Sequence, residues 1–405
     1  MPFRLALSGL NAASSDLTVT ANNVANVATT GFKSSRAEFA DLFAATQQGV
    51  SATAIGNGVR VASVAQQFSQ GNIDFTNNSL DLAISGNGFF VMNDGGALSY
   101  TRAGALQVNN KGFVVNAKQQ RLQVYPPLPA GGFNTGGLSD LSLTTGVSAP
   151  NATTKVDVVA NLAASATVPT TATFDPADST SYNNTTSLTI YDSLGAAHTA
   201  SLYFIKGATA NNWSTRLYVD GAAVGGAQAL TYSNAGNLTA PVGGNITFPA
   251  YTPATGAAPL NMTFAFGQTS QYGATFTVNA TTQDGYTTGR LIGIDIDASG
   301  VVQARFTNGR SNALGQIAMA SFANPQGLQQ LGDSAWAETF ASGQALRGEA
   351  GNSGFGLVQA GALEASNVDM TTQLVNMITA QRDFQANAQM ISTSDAITQT
   401  IINIR

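Results

Sequence analysis

Both ends of the chain carry an apolar repeat that constrains the fold more than any other feature. From Met370 to Ile402, most residues spaced alternately four and three apart are apolar, and a 3.5-residue repeat is typical of coiled coils. Residues 3–28 carry a second repeat with the same spacing. Because a lone helix is only marginally stable in water, each apolar seam requires a partner. The sequence therefore predicts two terminal helices that pair with each other. The seam residues predicted to mediate self-assembly are Leu7, Leu10, Leu17, Val24, Leu374, Met377, Ile378, Phe384, Ile391 and Ile402.

The composition favours a protein that assembles with copies of itself. Charged residues make up 10% of the 405 residues, against roughly 25% in typical soluble domains. Surfaces of small polar residues pack against each other with little loss of hydration energy. The same composition also suits an extracellular protein with protease-resistant loops, which stays open as an alternative.

Charge and cysteine content disfavour several other classes of function. The net charge is −5 and no basic run is present, which argues against nucleic-acid binding. The absence of cysteine excludes disulfides, thiolate metal ligands and cysteine nucleophiles. The first residues lack the apolar core of a secretory signal, and no stretch of about 18 apolar residues occurs. We therefore expect no membrane insertion and, if the protein is exported, no cleaved signal peptide.

Most of the chain between the terminal helices is predicted to be β structure. Alternating apolar residues at 80–84, a turn at 85–88 and a return strand at 89–92 predict a hairpin in the first β region. The Pro- and Gly-rich segment 126–137 marks a boundary, and the regularly spaced short strands beyond it predict a sandwich or barrel-like domain. Ahead of the first β region, residues 37–43 show a short helical pattern within a linker.

These patterns predict a multidomain α+β protein. The paired terminal helices form a coiled-coil-like stalk, and two mainly-β domains lie between them, the second inserted in the first. The predicted divisions are a terminal helical assembly domain at 1–33 with 361–405, a connecting segment at 34–71, a first β domain at 72–137 with 283–360, and an inserted outer β domain at 138–282. The segments 44–58 and 126–137 are candidate hinges.

The residues that carry enzyme chemistry are sparse in this sequence. The single histidine, His198, lies in a strand pattern, so a satisfied or exposed sheet histidine is favoured over a catalytic triad or a metal site. Asp295 and Asp297 precede Gly300 as in a calcium loop, but the remaining acidic ligands are missing. Other carboxylates are scattered without pairing: Asp333, Glu338, Glu349 and Glu364. We therefore expect no enzyme activity, no cofactor and no bound metal.

Five motifs, taken together and in order, resemble the bacterial flagellar rod and hook protein family. They are Asn22–Lys33 (NNVANVATTGFK), Asp81–Phe90 (DLAISGNGFF), Tyr100–Gly104 (YTRAG), Gly361–Asp369 (GALEASNVD) and Leu374–Phe384 (LVNMITAQRDF). The likeness covers both ends and the first β region, and is weaker within 138–282. The signature positions are Asn22, Asn23, Ala25, Asn26, Gly31, Phe32, Gly86, Gly88, Phe89, Leu363, Glu364, Ser366, Asn367 and Val368.

The resemblance implies an extracellular structural subunit of the flagellum. A chain of this length with an insertion resembles the hook-forming members, whose copies polymerise into a short, curved, hollow tube that passes torque from rod to filament. It further implies contacts with the distal rod, the hook cap, the hook–filament junction protein and the flagellar type III export apparatus. A distal rod or junction component stays open as an alternative, as does, with less support, an adhesin or enzyme carried on the insertion.

Overall fold

The computed structural model describes residues 2–42, 56–143, 146–352 and 354–403. The protein is mostly β structure, with one helix at each end of the chain. It divides into two compact units. Unit 1 comprises residues 1–144, 293–305 and 311–405, and unit 2 comprises residues 145–292 and 306–310.

The two helices are α1, Pro2–Ala25, and α2, Met370–Asn403. Asp369 precedes α2, and its Oδ1 accepts a hydrogen bond from the backbone N–H of Thr372 (2.9 Å), as an N-cap does. Beyond the end of α1 the chain turns through Gly31, whose φ of +67° is favourable for glycine. The predicted terminal helices are therefore present, with capping chemistry at the start of α2.

The strands of the described residues follow in chain order. The first ten are β1 Ser35–Asp41, β2 Val59–Gln66, β3 Ile73–Phe75, β4 Leu82–Ser85, β5 Phe89–Asp94, β6 Ala97–Thr101, β7 Gln107–Val108, β8 Val114–Val115, β9 Arg121–Tyr125 and β10 Ser139–Asp140. Next are β11 Lys155–Ala163, β12 Asn184–Tyr191, β13 Ala197–Lys206, β14 Asn212–Val219, β15 Ala222–Tyr232, β16 Leu238–Ala240, β17 Asn245–Thr247, β18 Thr263–Ala265, β19 Ser270–Tyr272 and β20 Thr277–Gln283. The last are β21 Leu291–Ile296, β22 Val301–Phe306, β23 Ser311–Ser321, β24 Gln329–Gly332, β25 Ala335–Ala337, β26 Leu346–Glu349, β27 Leu357–Ala360 and β28 Ala362–Glu364, with a 3-10 turn at Pro325–Gly327.

The connecting segment 34–71 is not a linker with a helical patch, and that expectation is wrong. β1 and β2 form an antiparallel two-stranded sheet in which Ser35 lies opposite Gln66. This ribbon packs beside α1, where the Ser8 hydroxyl accepts a hydrogen bond from the backbone N–H of Val59 (3.3 Å). The partner strand β2 comes only after the intervening segment 42–58, so the local spacing of apolar residues does not reveal the pairing. Phe43 and most of the predicted hinge 44–58 lie outside the described residues.

A large sheet forms the centre of unit 1. Its strand order is β21-β22-β23-β9-β5-β6-β25-β24, with β10 beside β9 and β26 beside β23. Successive side chains of β5 enter different cores, since Phe90 and Met92 belong to one buried cluster while Phe89 and Val91 belong to another. The sheet is therefore packed on both faces. Two short ribbons, β27–β4 and β28–β3, carry the chain toward α2.

Unit 2 is a sandwich of two five-stranded sheets around one core. One sheet has the order β12-β13-β14-β15-β16, and the other has β17-β18-β11-β19 with β20 beside β11. Val158 of the second sheet and Leu202 and Trp213 of the first belong to the same buried cluster. A core of this size is complete within the unit.

The compact units divide the chain at different residues from the predicted insertion 138–282. Leu141 and Leu143 are buried in a core cluster of unit 1, so the chain enters unit 2 later than predicted. At the other end, Asp284 accepts hydrogen bonds from the backbone N–H groups of Thr154 (2.8 Å) and Lys155 (3.0 Å). Those bonds keep the segment after 282 with unit 2.

Candidate functional site

The two terminal helices lie antiparallel against each other through a face of small residues on α1. Asn23 donates a hydrogen bond from Nδ2 to Gln373 Oε1 (3.1 Å), and Gly9 lies against the side chain of Asn387. The contact positions on α1 repeat with the seven-residue spacing of a helix pair. The α1 side chains that are buried are Ala6, Ala13, Thr20 and Asn23. Small side chains let the two backbones approach closely.

The buried face of α1 is shifted by one residue along the sequence from the apolar seam that we predicted for this helix. Leu7 of the predicted seam is 41% exposed, and Leu10, Leu17 and Val24 are half-buried. The most deeply buried side chains of α1 are therefore those one position before the predicted seam, and the role of the seam residues in self-assembly stays a prediction. The buried alanine, glycine and threonine residues repeat with the same period as the larger apolar residues beside them. A prediction based on apolar content therefore selects the larger residues.

On α2, little of the side-chain surface is buried by the pairing with α1. Of the α2 side chains that the structure describes, only that of Ala380 is buried, with 2% exposed. Met377 and Ile391, both predicted seam residues, are half-buried on this same face. Partial burial and the neighbouring carboxylate of Asp383 raise the pKa of Asp16 on α1.

Large apolar side chains remain exposed along both helices. Ile378, a predicted seam residue, is 50% exposed. A contiguous exposed apolar surface on a folded chain indicates a contact with another molecule. The exposed large apolar residues of the helices are Phe3, Leu7, Met370, Leu374, Val375, Ile378, Phe384, Met390, Ile397 and Ile402.

A buried ionic junction ties both helix-bearing ends of the chain to the β part of unit 1. Lys33 Nζ lies 2.6 Å from Glu364 Oε1, and Arg102 Nη1 lies 3.1 Å from Glu364 Oε2. The side chains of Lys33 and Glu364 are fully buried. Lys33 follows α1, Glu364 precedes α2, and Arg102 follows β6. One carboxylate thus joins three segments that are distant in sequence, and we call this trio the ionic junction.

Burial opposes the charges of the ionic junction. It lowers the pKa of Lys33, and the attraction of Glu364 offsets this only in part. Burial likewise lowers the pKa of Arg102. Hydrogen bonds compensate further, because Lys33 donates to the Ser69 carbonyl (2.7 Å) and Arg102 to the Gly86 carbonyl (2.9 Å). A buried pair that loses one partner leaves an uncompensated charge, so the three groups are strongly interdependent.

Gly31 and Asn367 fix the backbone around the ionic junction. A Cβ added to Gly31 would lie 2.5 Å from the backbone nitrogen of Ala103, and the Gly31 N–H donates to the Glu364 carbonyl (2.8 Å). Asn367 accepts a hydrogen bond at Oδ1 from the Ser34 N–H (2.7 Å) and donates from Nδ2 to the Gln67 carbonyl (2.7 Å). These two residues fasten the chain after α1 to the chain before α2.

The asparagines near the end of α1 act within the chain. Asn23 donates to the Ser35 carbonyl (2.7 Å) and accepts from the Ser35 N–H (2.9 Å), so it holds the start of β1. Asn26 donates to the Asn22 carbonyl (2.9 Å) and accepts from the Thr29 hydroxyl (3.1 Å). Their poor helix propensity is therefore offset by bonds that end the helix and direct the chain into β1.

The remaining signature residues lie in the same part of unit 1. Phe89 packs edge-on against Trp336, with ring centres 5.7 Å apart, and Arg102 lies over its ring at 5.4 Å. Gly86 and Gly88 both have positive φ values, and Gly86 closely approaches the backbone of Gly356. Phe32, Leu363 and Ser366 are half-buried, Val368 is buried, and Asn22 and Ala25 are exposed.

Sequence reasoning missed the ionic junction as a site. Glu364 was considered only as a possible partner of another carboxylate, whereas the structure shows that it bonds both Lys33 and Arg102. Asp333 also has a partner, with its Oδ2 2.7 Å from Lys118 Nζ. Lys33 and Arg102 both occur in the family motifs. Because the chain has few charged residues, a charged residue within a motif could have marked them as functional.

His198 of unit 2 is held between two carboxylates. Its Nδ1 lies 2.6 Å from Asp220 Oδ2 and its Nε2 lies 3.2 Å from Asp192 Oδ2. Burial acts to lower the pKa of His198, but the hydrogen bonds to both carboxylates outweigh it and the pKa is raised. The pKa of Asp192 is lowered to about 2: burial works against this, but hydrogen bonds, the Thr255 hydroxyl first among them, outweigh it. This histidine is a satisfied sheet residue and serves the structure.

Within the described ranges, no cluster of three or more histidine, cysteine or acidic side chains is arranged to hold a metal ion. Among the described residues, no helix combines the length and the apolar character needed to cross a membrane.

Four family models match successive parts of the chain. They are described as Flagella basal body rod protein (residues 3–33), Flagellar hook protein FlgE/F/G D1 domain (83–173), Flagellar basal body protein FlaE D2 domain (161–286) and Flagellar basal body rod FlgEFG protein C-terminal (359–404). The first and last of these contain the helices and two members of the ionic junction. The fold and these matches define a structural protein of the bacterial flagellum.

Curated relatives match over the whole chain. The chain is 39% identical over 416 residues to the flagellar hook protein FlgE of Salmonella typhimurium LT2, covering 100% of both. It is 39% identical to that of Escherichia coli K12 (100% of both) and 32% identical to that of Treponema pallidum (98% of both). The chain belongs to the flagellar hook protein FlgE family, and the predicted resemblance is confirmed.

A solved structure supports the fold independently. The Helicobacter pylori flagellar hook protein FlgE2 matches with a TM-score of 0.54 at 14% sequence identity. The match covers 72% of this chain and 100% of that one. At this identity the likeness concerns the fold alone.

Proposed function

We propose that this protein is the structural subunit of a flagellar hook, and that many copies polymerise into a flexible hollow tube that passes torque from rod to filament. The observation that carries the proposal is the 39% identity to curated hook proteins over the full length of both chains. The exposed apolar residues of α1 and α2 support it, because one copy leaves them in contact with water.

The terminal helices form the assembly domain. α1 turns its small residues toward α2, which meets them with Ala380 and the half-buried Met377 and Ile391. The exposed large apolar residues of both helices are left for the helices of neighbouring copies. The pair then acts as the coiled-coil-like stalk of the subunit, with unit 2 as the inserted β domain. Contacts between different surfaces of identical copies generate a helical tube when they do not close into a ring. The predicted seam residues Leu374, Ile378 and Phe384 are the principal contacts.

The ionic junction gives the subunit a stiff connection between stalk and β structure. Torque entering through the helices must pass through the segments that follow α1 and precede α2. Both segments are bonded to each other and to the segment after β6 through Glu364. Buried groups joined by ion pairs and hydrogen bonds are held in a defined geometry, which gives the connection low compliance. The junction therefore transmits rotation while contacts between copies change length during bending.

The rod and hook–filament junction alternatives share the terminal segments. The models that match 3–33 and 359–404 are described as rod proteins, so these ends alone do not separate the two functions. The hook assignment rests instead on the full-length relatives, which include the whole of unit 2. The subunit's further contacts, with the distal rod, hook cap, hook–filament junction protein and type III export apparatus, follow from the hook assignment. Export without a cleaved signal peptide is part of the same proposal.

Electron microscopy of flagella tests the proposed function. In cells whose own hook gene is removed, production of this chain should restore short, curved tubes between the basal body and the filament. Straight, rigid rods would favour the rod alternative. Basal bodies that end without any added structure would contradict both functions.

A further inference from the structure

A second exposed apolar feature lies on unit 1, away from the helices in sequence. Phe340 lies in the loop between β25 and β26, and its side chain is 105% exposed. It contributes to none of the buried clusters of unit 1. The fold gains nothing from an apolar ring at this position, so its role is sought outside the single chain.

The loop that carries Phe340 has a fixed conformation. The Thr339 hydroxyl donates to the Gly327 carbonyl (2.5 Å), and the Thr339 N–H donates to the Ser342 hydroxyl (2.9 Å). Asn324 donates to the Ala341 carbonyl (3.1 Å). Ser342 is buried, and a Cβ added to Gly327 would lie 2.5 Å from the carbonyl carbon of Ala341. The ring is thus presented by a loop closely packed on the neighbouring 3-10 turn.

The base of the loop is also anchored. Glu338 Oε2 accepts a hydrogen bond from the Tyr100 hydroxyl (3.2 Å) and another from the backbone N–H of Ala345 (3.4 Å). One carboxylate therefore holds both ends of the segment 338–345. A side chain presented in its bound conformation loses little entropy on binding, which is how rigid aromatic anchors in interfaces act.

The charge of the segment indicates what it binds. Residues 339–345 (TFASGQA) carry no charge, whereas the whole chain has a net charge of −5. Copies of an acidic chain repel each other unless they meet at uncharged patches. A rigid, uncharged loop with one apolar ring suits contact with an identical chain, and membership of the hook protein family supplies the identical neighbours.

We propose that Phe340 is an anchor that inserts its ring into the surface of a neighbouring copy of this chain, as a contact separate from that of the helices. This inference rests on the proposed polymer. It adds a β-to-β contact, made by unit 1, to the contact of the terminal helices.

Photo-cross-linking in assembled flagella tests this contact. A photo-reactive phenylalanine analogue, p-azidophenylalanine, is placed at 340, at 378 on α2, or at Lys111 in the turn before β8, in cells lacking their own hook gene. We expect cross-linked dimers of the chain from positions 340 and 378 and only background from position 111. Mass spectrometry then identifies the residue of the neighbouring copy that Phe340 contacts.

The outcomes separate the two proposals. Cross-linking from 378 with only background from 340 would overturn the anchor and leave the polymer intact. Background from both positions, with no polymer recovered, would count against the proposed function itself. Capture from 340 of a protein other than this chain would also overturn the anchor.

A substitution provides a second measurement. Phe340→Ser removes the ring without touching any core residue, so the melting of the monomer should be unchanged. We expect the concentration needed for polymerisation to rise about tenfold, the size of a moderate interface hot spot. Phe340→Leu should retain most of the assembly. Equal assembly of Phe340→Ser and the unsubstituted chain would overturn the inference.

Discussion

The terminal helices and the β sandwich of unit 2 satisfy their apolar residues in opposite ways. Unit 2 buries Trp213, Phe204 and Phe264 almost completely within one copy of the chain. In α2 only Ala380 is buried among the described side chains, and large residues such as Ile378 stay exposed. Unit 2 buries its apolar residues within one copy of the chain, whereas the terminal helices need neighbouring copies to bury theirs. A structural subunit needs both, a folded body and a surface that becomes buried only on assembly.

The largest expected effect separates these two regions directly. Leu374→Asp places a charge on the exposed apolar face of α2, which should abolish polymerisation because the charge would have to be buried between copies. The monomer should melt as before, since Leu374 is 45% exposed and belongs to none of the buried clusters. Sedimentation measures the polymer and calorimetry the monomer.

Leu194→Asp is the matched control, because Leu194 is an exposed leucine on unit 2. We expect it to polymerise normally. If both variants polymerise, the helices are not the assembly surface. If Leu194→Asp alone fails, the comparison between the two regions is reversed.

The next effect concerns the ionic junction. Glu364→Gln leaves the cations of Lys33 and Arg102 buried without their carboxylate, which should lower the free energy of unfolding by about 3–5 kcal/mol. The loss should appear in the calorimetric transition of unit 1 and leave that of unit 2 unchanged. If the ionic junction served assembly alone, Glu364→Gln would leave the calorimetric transitions of both units unchanged.

Glu38→Gln is the control for the ionic junction. Glu38 pairs with Arg36 at a similar distance (2.9 Å), but this pair is exposed on the β1–β2 ribbon. Exposed pairs contribute little to stability, so no measurable change is expected. An equal loss in both variants would show that burial does not set the strength of the ionic junction.

A smaller effect is expected from Gly31. Gly31→Ala places alanine in a left-handed backbone conformation and its Cβ against the backbone of Ala103. Together these effects should lower the free energy of unfolding by about 2–4 kcal/mol. Gly95→Ala is the control, because Gly95 has a similar φ of +61° with nothing near its Cβ position. It should lose only about 1–2 kcal/mol. Equal losses in thermal unfolding would mean that the close approach at Gly31 is tolerated.

The sequence predicted the class of each region better than the contacts between regions. Apolar period and turn glycines were enough for two terminal helices and β structure between them. The pairing face of α1 was missed because Ala6 and Ala13 give a weaker apolar signal than Leu7 and Leu10, although small residues allow the closer approach. The ionic junction was missed because Lys33, Arg102 and Glu364 meet only through tertiary structure. Local patterns carry no information on such distant pairs.

The smallest expected effect is a pH dependence of unit 2. Asp192 and Asp220 bond the imidazole of His198, the Tyr251 ring packs edge-on against it with ring centres 5.9 Å apart, and the Tyr251 hydroxyl donates to Asp220. Because the folded pKa of His198 is raised, its contribution is fully present below the unfolded pKa of about 6.5 and is lost as pH rises through the folded pKa. The pKa of Asp192, lowered to about 2, gives the opposite dependence, with stability lost as pH falls below about 3.8.

His198→Gln should therefore lower the stability of unit 2 by about 1–3 kcal/mol at pH 6 and by less at pH 9, since charge-assisted hydrogen bonds are removed only where the imidazole is protonated. Trp213 fluorescence reports on unit 2, and a Trp336→Phe background removes the only other tryptophan. The decline in stability from pH 6 to pH 9 should be present with His198 and absent with glutamine. If the stability of both chains declines equally, a group other than His198 titrates. The stability of unit 2 then does not depend on the ion pair of His198.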